Sequence, residues 1–441
     1  MTIDHSPLTM HYYSLNKQAP NVSFREATIK GQAPDKGLYF PATIPTIDPL
    51  LIRNSNDYTK EELAMLVMQP YVGDTIDEKS LFRIVSETIG FDFPLVTINE
   101  QISSLELFHG PTLAFKDVGA RFMSRCLGYF SQQQKGKVTV LVATSGDTGG
   151  AVANGFLGVE GVEVVILYPS GKVSPVQELQ LTTCGQNIKA LEVSGSFDDC
   201  QAMVKDAFMD ADLNKALQLT SANSINVARW LPQQLYYFFA WQQWQDKAHP
   251  PVIAVPSGNF GNICAGLLAH VSGLPVQHFI AACNVNDAVP EYLRTGNYAA
   301  KTAVPTISNA MDVGSPSNFI RVMELFGSQY ETIKEKISGY TVTDELTRQT
   351  IADVYRQEGY ILDPHGAVAY YALKDYLLQH PERKGFILET AHPVKFPDTV
   401  ESMIGKQLEV PAAAQHLFAL EKKSVPMKAS FAALKEWLLH A

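Results

Sequence analysis

Short apolar runs rich in β-branched residues recur along the chain from Val138 onward, and helix-length segments separate them. Five of these runs cover residues 138–143, 162–168, 188–194, 251–257 and 276–282. Strands that are apolar on both faces and alternate with helices are typical of parallel sheets covered by helices on both sides. The pattern therefore predicts an α/β fold with mostly parallel sheets.

The beginning of the chain follows a different pattern, in which turn signals alternate with short apolar pieces before a predicted helix at 59–69. Typical domain sizes then suggest an N-terminal mixed domain at 1–97, followed by domains at 98–245 and 246–441. We expect the chain to be able to pass from one of the last two domains into the other, so that one domain can contain segments from both ranges.

Charge and cysteine content narrow the class of protein. The chain has 35 basic and 45 acidic residues and a net charge of −10, which disfavours nucleic acid and anionic membranes as partners. Five cysteines without a CxxC pair indicate a reducing compartment. The first residues lack the apolar core of a signal peptide, and no run reaches membrane-spanning length. We expect a cytoplasmic protein without a metal site.

Lys116 is the first candidate for chemistry. It follows the apolar residues 113–115 and precedes apolar positions spaced as on one face of a helix. Partial burial disfavours the ammonium form and lowers the pKa of a lysine. The sequence therefore predicts an amine that attacks a carbonyl carbon.

Two predicted strands end in turns rich in glycine and small polar residues. After the first, Ser145, Asp147 and Thr148 lie beside a helix start, and an elaborate N-cap is the better reading of this turn taken alone. After the second, Gly258 and Gly261 allow a tight turn into a helix whose first amides favour an anion. A glycine-rich turn without a ligand is an equally good reading of this second segment.

Two further segments are weaker signals by themselves. Asn223, Ser224 and Asn226 stand at a predicted helix start, and Arg229 follows about one and a half turns later. An arginine there can complete an anion site, although a surface arginine is the commoner case. Thr390 follows a β-type run at 385–388.

Taken together, these segments resemble the pyridoxal-phosphate enzymes of the tryptophan-synthase-β type (fold type II), and among them the threonine synthases. The resemblance covers nearly the whole chain. Its motifs, in order, are APDKGLYFP, HGPTLAFKD, ATSGDTG, LYPSGKVSP, NSINVAR, PSGNFGN, NAMDVGSPSNF and LETAHPVKFP. It implies two open, mostly parallel sheets covered by helices, and pyridoxal 5'-phosphate as the cofactor.

The resemblance also assigns cofactor contacts. Lys116 matches the lysine that binds the cofactor covalently, and Thr390 matches the hydroxyl residue facing the pyridine nitrogen. Asp147 stands where many relatives have asparagine beside the cofactor's ring oxygen. The cofactor phosphate is expected at Gly258, Asn259, Phe260, Gly261 and Asn262.

The substrate contacts follow in the same way. Ser145 and Thr148 match the loop that holds the substrate carboxylate, and Asn223, Ser224 and Arg229 match residues around the substrate phosphate. The implied reaction converts O-phospho-L-homoserine and water to L-threonine and phosphate, with Lys116 as the base. The expected oligomer is a monomer or a homodimer.

Two alternatives remain open. One is another fold type II enzyme, such as a serine or threonine dehydratase or a β-replacing synthase. The other is a catalytically silent homologue that only binds a phosphorylated ligand, although binding alone would not require the amine of Lys116.

Overall fold

The computed structural model describes residues 10–132 and 136–440; residues 1–9, part of the segment tested above for a signal peptide, lie outside them. The described strands are β1 (His11–Ser14), β2 (Val22–Ser23), β3 (Tyr39–Pro41), β4 (Leu95–Thr97), β5 (Ile102–Glu106), β6 (Val138–Ala143), β7 (Val162–Pro169), β8 (Ile188–Ser194), β9 (Gln218–Ser221), β10 (Val252–Pro256), β11 (His278–Cys283), β12 (Ile337–Thr341), β13 (Gly385–Glu389) and β14 (Val425–Lys428).

The α-helices of the same residues are α1 (Phe24–Lys30), α2 (Pro49–Arg53), α3 (Lys60–Val72), α4 (Glu78–Thr88), α5 (Lys116–Ser131), α6 (Asp147–Phe156), α7 (Pro175–Thr182), α8 (Phe197–Met209), α9 (Ala211–Ala216), α10 (Val227–Trp230), α11 (Leu235–Gln243), α12 (Gly261–Val271), α13 (Ala288–Thr295), α14 (Phe319–Leu325), α15 (Tyr330–Lys336), α16 (Asp344–Glu358), α17 (Pro364–Gln379), α18 (Pro397–Ile404), α19 (Ala412–Gln415) and α20 (Phe431–His440).

Two larger sheets form the body of the protein. One has the strand order β12-β11-β10-β13-β5-β4 and is parallel except for β4, which runs antiparallel to β5. The other has the order β14-β8-β7-β6-β9 and is parallel throughout. The central strands β6, β10 and β13 are buried along their whole length, as expected for sheets covered on both faces. The predicted α/β fold is confirmed.

Sheet membership does not follow chain order. β4 and β5 belong to the six-stranded sheet, although β6 to β9 of the other sheet follow them directly in sequence. β14 returns to pair with β8, with Val425 opposite Leu191. The domain boundaries at 97 and 245 stay predictions.

The N-terminal unit contains the antiparallel sheet β2-β1-β3. The hydroxyl of Tyr12 donates to the carbonyl oxygen of Tyr71 over 2.6 Å, and the hydroxyls of Tyr71 and Ser272 are 3.1 Å apart. Because Ser272 caps the end of α12, these buried bonds attach the unit to the helix that begins at the glycine-rich turn.

The four segments singled out in the sequence all follow the carboxyl ends of strands. Residues 144–148 follow β6, and 222–229 follow its sheet neighbour β9; residues 257–262 follow β10, and Thr390 follows its neighbour β13. Ligands of open parallel sheets bind at this edge. Among the described helices, none combines the length and the apolar character needed to span a bilayer.

Small residues let α5 approach its neighbours closely. A Cβ at Gly119 would lie 2.6 Å from the carbonyl oxygen of Arg229, which is a residue of α10. On the α6 side, a Cβ at Gly155 would lie 3.1 Å from the backbone of Ala120. Since Lys116 is the first residue of α5, these contacts help to determine where its side chain lies.

We expect Gly119→Ala to lower the free energy of unfolding by about 1–3 kcal/mol, because overpacking against backbone outweighs the better helix propensity of alanine. The control is Gly128→Ala in the same helix, where the nearest atom to the new Cβ is the movable Cγ1 of Val159 at 3.1 Å. That control should stay within about 1 kcal/mol of the parent. Urea-unfolding midpoints measure both, and equal midpoints would contradict the close approach of α5 and α10.

Candidate active site

Backbone hydrogen bonds hold the segment before Lys116 against the end of β13. The amide of Phe115 donates to the carbonyl oxygen of Thr390 over 2.9 Å, and the amide of His392 donates to that of Leu113 over 3.0 Å. The hydroxyl of buried Tyr236 donates to the carbonyl oxygen of Phe115. Lys116, the first residue of α5, is therefore positioned relative to Thr390 by main-chain contacts.

The surroundings of the half-buried Lys116 favour its neutral amine. Loss of hydration lowers the pKa of Lys116, and the nearby cations Lys395 and Arg229 lower it further. Asp147 acts in the opposite direction without cancelling these effects. A larger fraction of Lys116 is therefore an amine, the form that attacks a carbonyl carbon, than of an ordinary surface lysine.

The turn after β10 has the geometry of an anion cradle. Gly258 lies so close to Met311 that a Cβ there would be 2.7 Å from the Met311 Cα. Phe260 adopts a left-handed conformation, with φ 62°, and α12 begins at the next residue, Gly261. The first amides of a helix have no acceptor within it, so this end of α12 offers donors to an anion.

Asn259 and Ser224 connect this cradle with the segment after β9. The side-chain amide of Asn259 donates to the Ser224 Oγ over 2.7 Å, and that of Asn318 donates to the same atom over 3.0 Å. The Asn259 Oδ1 accepts from the amide of Ser317 over 2.6 Å. Since Ser224 accepts two bonds, its own hydrogen is left to donate to a ligand.

The side chain of Asn262 forms hydrogen bonds within the turn after β10. Its side-chain amide donates to the carbonyl oxygen of Pro256 over 2.8 Å, and its Oδ1 accepts from the amide of Ile263 over 3.0 Å. Both polar groups of the side chain thus stabilise the turn. The side chain of Asn262 shapes the cradle, and its backbone amide is the group free for an anion.

The turn after β6 is held by Thr144, whose Oγ1 accepts from the amides of Gly146 (3.0 Å) and Gly149 (2.8 Å). Gly146 has φ 140°, and a Cβ there would meet the side chain of Gln177 at 2.5 Å, so glycine is required. In the described residues the half-buried hydroxyls of Ser145 and Thr148 have no hydrogen-bond partner. Both are therefore available to a ligand beside the start of α6.

The region around Arg229 differs from the predicted helix start near Ser224. The helix α10 begins only at Val227, and its N-cap Asn226 accepts from the amide of Ala228 over 3.0 Å. The Asn226 side-chain amide donates to the carbonyl oxygen of Thr28 over 2.9 Å. Of the three residues expected at the helix start, Asn226 is the N-cap, whereas residues 223–225 form the turn that leads to this cap.

Arg229 is buried, which excludes a surface arginine. One of its terminal nitrogens donates to the carbonyl oxygen of Ala222, whereas its buried Nε has no partner among the described residues. Burial lowers the pKa of Arg229 to about 10, so the guanidinium keeps its charge at neutral pH. It supplies a cation near Lys116.

Comparisons with known proteins identify the family. A family model described as "Pyridoxal-phosphate dependent enzyme" matches residues 103–388, and models of the threonine synthase N terminus and C-terminal region match 11–89 and 366–438. The threonine synthase of Escherichia coli is 43% identical over 433 residues, which are 98% of this chain and all of that protein. The chain belongs to the threonine synthase family.

Solved structures agree with this assignment. The crystal structure of Escherichia coli threonine synthase has a TM-score of 0.90 and 42% identity, and covers 98% of this chain and 99% of its own. The pyridoxal-phosphate-bound threonine synthase of Brucella melitensis has a TM-score of 0.92 at 35% identity, with the same coverage. The family, the fold type and the cofactor class predicted from the motifs are confirmed.

The residues present in this threonine synthase family member fit pyridoxal phosphate. Lys116, an amine with a lowered pKa, follows Phe115, whose amide is bonded to the carbonyl oxygen of Thr390 at the end of β13. The start of α12 offers backbone donors suited to the cofactor phosphate. Thr390 is 6% exposed and carries no charge, so it suits a neutral partner for a ring nitrogen.

Sequence reasoning missed several residues of this region. Lys395 is fully buried and forms an ion pair with Asp147. Arg321 is fully buried and donates to the carbonyl oxygens of Ser224 (3.0 Å), Ile225 (2.6 Å) and Tyr39 (3.1 Å). Tyr236 supports the residue before Lys116. Only Lys395 had a signal in the sequence, as a lysine within the LETAHPVKFP motif.

The long loop at 297–319 covers the cradle. Besides the contact of Met311 with Gly258, the amide of Ala310 donates to the Nε2 of His365 over 3.2 Å. The Nδ1 of His365 lies 2.5 Å from the Asp363 Oδ1. Accepting at Nε2 and donating at Nδ1 requires a neutral imidazole, so His365 holds the loop in that form.

We expect Lys116→Met to raise the thermal unfolding midpoint of the cofactor-free chain at neutral pH. The lowered pKa of Lys116 means that folding disfavours its charged form, and a methionine removes this cost. The gain should shrink as the pH rises from the lowered pKa toward 10.5, because the folded and unfolded parent then both carry neutral amines.

Thermal scans of both proteins across this pH range measure the effect. The control is Lys172→Met, at an exposed lysine, which should leave the midpoint unchanged at every pH. A Lys116→Met midpoint below that of the parent at neutral pH would show that the ammonium form is the stabilising one.

Proposed function

We propose that this member of the threonine synthase family converts O-phospho-L-homoserine and water to L-threonine and phosphate. The observation that carries the proposal is the arrangement of two anion-binding regions beside one lysine. One is the turn at Gly258–Asn262, and the other is formed by Ser224 and the buried cation Arg229. A phosphorylated substrate and a phosphorylated cofactor bound at the same time require two anion-binding regions.

Lys116 is proposed to bind pyridoxal phosphate covalently and to act as the base. When bound, the cofactor serves as an electron sink for the substrate's α-carbon. The amine of Lys116, released when the substrate amine takes its place, removes the α-proton and moves protons at the β-carbon. Its lowered pKa supports this role, because a base must be deprotonated before it accepts a proton.

The cofactor itself is proposed to be held at three further points. The amides of Gly258, Asn259, Phe260, Gly261 and Asn262 hold its phosphate, the hydroxyl of Thr390 faces its ring nitrogen, and Asp147 lies beside its ring oxygen. A hydroxyl cannot keep the ring nitrogen protonated as a carboxylate would. Less charge is then drawn into the ring, and more is available to expel a group at the γ-carbon.

Five other side chains are proposed to orient the substrate. Ser145 and Thr148 hold its carboxylate at the start of α6, where the helix dipole favours an anion. Asn223, Ser224 and Arg229 hold its phosphate. A guanidinium contact strengthens as the phosphate leaves and gains charge, so it stabilises the transition state more than the bound substrate.

We also propose a cytoplasmic location and a monomer or homodimer. All five cysteines are free thiols in the described structure, as is usual in a reducing compartment.

The purified chain should release phosphate and form threonine in equal amounts from O-phospho-L-homoserine, and Lys116→Ala should abolish both. A phosphate assay combined with amino-acid analysis measures the products. The competing dehydratase activity would release ammonia and an oxo acid from serine or threonine. A chain that carries out only this second reaction would disprove the proposed function.

Arg229→Met should lower turnover of O-phospho-L-homoserine by about tenfold or more, because a charge-assisted contact to phosphate contributes roughly 1.5–3 kcal/mol. Methionine keeps most of the buried volume, which limits loss of folding. Cofactor affinity should be nearly unchanged, since the cofactor phosphate has its own cradle.

Initial rates and cofactor titrations separate the two effects. The control is Arg125→Met, at an arginine that pairs with Glu87 over 2.9 Å on the other side of α5. It should leave both quantities unchanged. Loss of cofactor with normal turnover after resupply would assign Arg229 to the cofactor instead.

A further inference from the structure

Asp147 has a buried counter-ion. The Lys395 Nζ lies 2.6 Å from the Asp147 Oδ1, and the two side chains are 0% and 4% exposed. Lys395 ends a short 3-10 turn, Pro393–Lys395, five residues after Thr390. The pair thus connects the two sheets, because Asp147 follows β6 and Lys395 follows β13.

Both partners have further fixed contacts. The Lys395 Nζ donates to the carbonyl oxygen of Thr112 over 2.9 Å, and the Gln177 Nε2 donates to the Asp147 Oδ1 over 2.8 Å. No described residue donates to the other carboxylate oxygen, Oδ2. One oxygen is therefore held by two donors, while the second is available to a ligand.

The charges of this region constrain what the pair does. Burial by itself raises the pKa of Asp147, but Lys395 and Lys116 outweigh it and keep the pKa below its usual value, so Asp147 is a carboxylate. A bare carboxylate would hold Lys116 as an ammonium ion and would repel an anionic ring oxygen.

We propose that Lys395 is a positioning residue that combines with Asp147 into one net-neutral unit, which leaves Lys116 free to act as an amine. The ammonium of Lys395 cancels the carboxylate charge and fixes the Oδ1, so that the pair presents only Oδ2 to the cofactor. This inference rests on the proposed function, in which Lys116 binds pyridoxal phosphate and Asp147 lies beside it.

Four proteins test the unit: the parent, Lys395→Met, Asp147→Asn, and the double variant. The dissociation constant of pyridoxal phosphate is measured by absorbance titration between about pH 6 and pH 9. In Lys395→Met the uncompensated carboxylate raises the pKa of Lys116, so binding should weaken by about tenfold or more at pH 7 and by less at pH 9.

The double variant restores a neutral pair of side chains, and its dissociation constant should return to within about threefold of the parent. The unfolding midpoints of the four cofactor-free chains give an independent measure of the same coupling. Lys422→Met is the control, because Lys422 also forms an ion pair, 2.7 Å from Glu178, but is 38% exposed. It should leave cofactor binding unchanged.

Two results would overturn the inference alone: Lys395→Met binding as tightly as the parent at every pH, or a double variant as weak as Lys395→Met. Either would mean that Lys395 does not act through the charge of Asp147. A parent chain that fails to bind pyridoxal phosphate would instead overturn the proposed function, and the inference with it.

Discussion

The antiparallel contact between residues 113–115 and 390–392 is the constraint on which the site depends. It attaches the start of α5 to the end of β13, so Lys116 and Thr390 keep their relative positions through main-chain bonds. The hydroxyl of Tyr236 holds the same peptide from the other side. A reactive group placed by backbone contacts on rigid elements loses little conformational entropy when it reacts, which is a requirement for efficient catalysis.

The site contains several cations, although the whole chain carries a net negative charge. The net charge is −10, yet the cations Lys395 and Arg229 are close enough to Lys116 to lower its pKa, and Asp147 is a nearby carboxylate that acts in the opposite direction. Arg321, behind Ser224, is bound by carbonyl oxygens and by Asn318. The buried cations Lys395 and Arg229 favour phosphorylated ligands, and both lower the pKa of Lys116, the lysine proposed to act as an amine.

Much of the fold and part of the site could be predicted from local pattern. The strands at 138–143 and 188–194 match the predicted runs residue for residue. The first is buried along its whole length, as its apolar run predicts, whereas the second has Lys189 and Ser194 exposed. The helix start predicted at Asn223, Ser224 and Asn226 lies at the last of them, since all three are good N-cap residues and sequence does not decide which one caps. Asp147 was found, but its charge state was not, because its partner lies 248 positions away (395 − 147).

The sequence by itself determined the chemistry and the family: a lysine after an apolar segment, glycine-rich turns at strand ends, and motifs spread over the whole chain in a fixed order. Only the tertiary structure decided how these parts act on one another. It pairs Lys395 with Asp147, bonds the side chain of Asn259 to Ser224, and packs the loop at Met311 against Gly258. The reason is physical: a local pattern records burial and backbone conformation, whereas pKa values and hydrogen-bond partners depend on residues that only folding brings together.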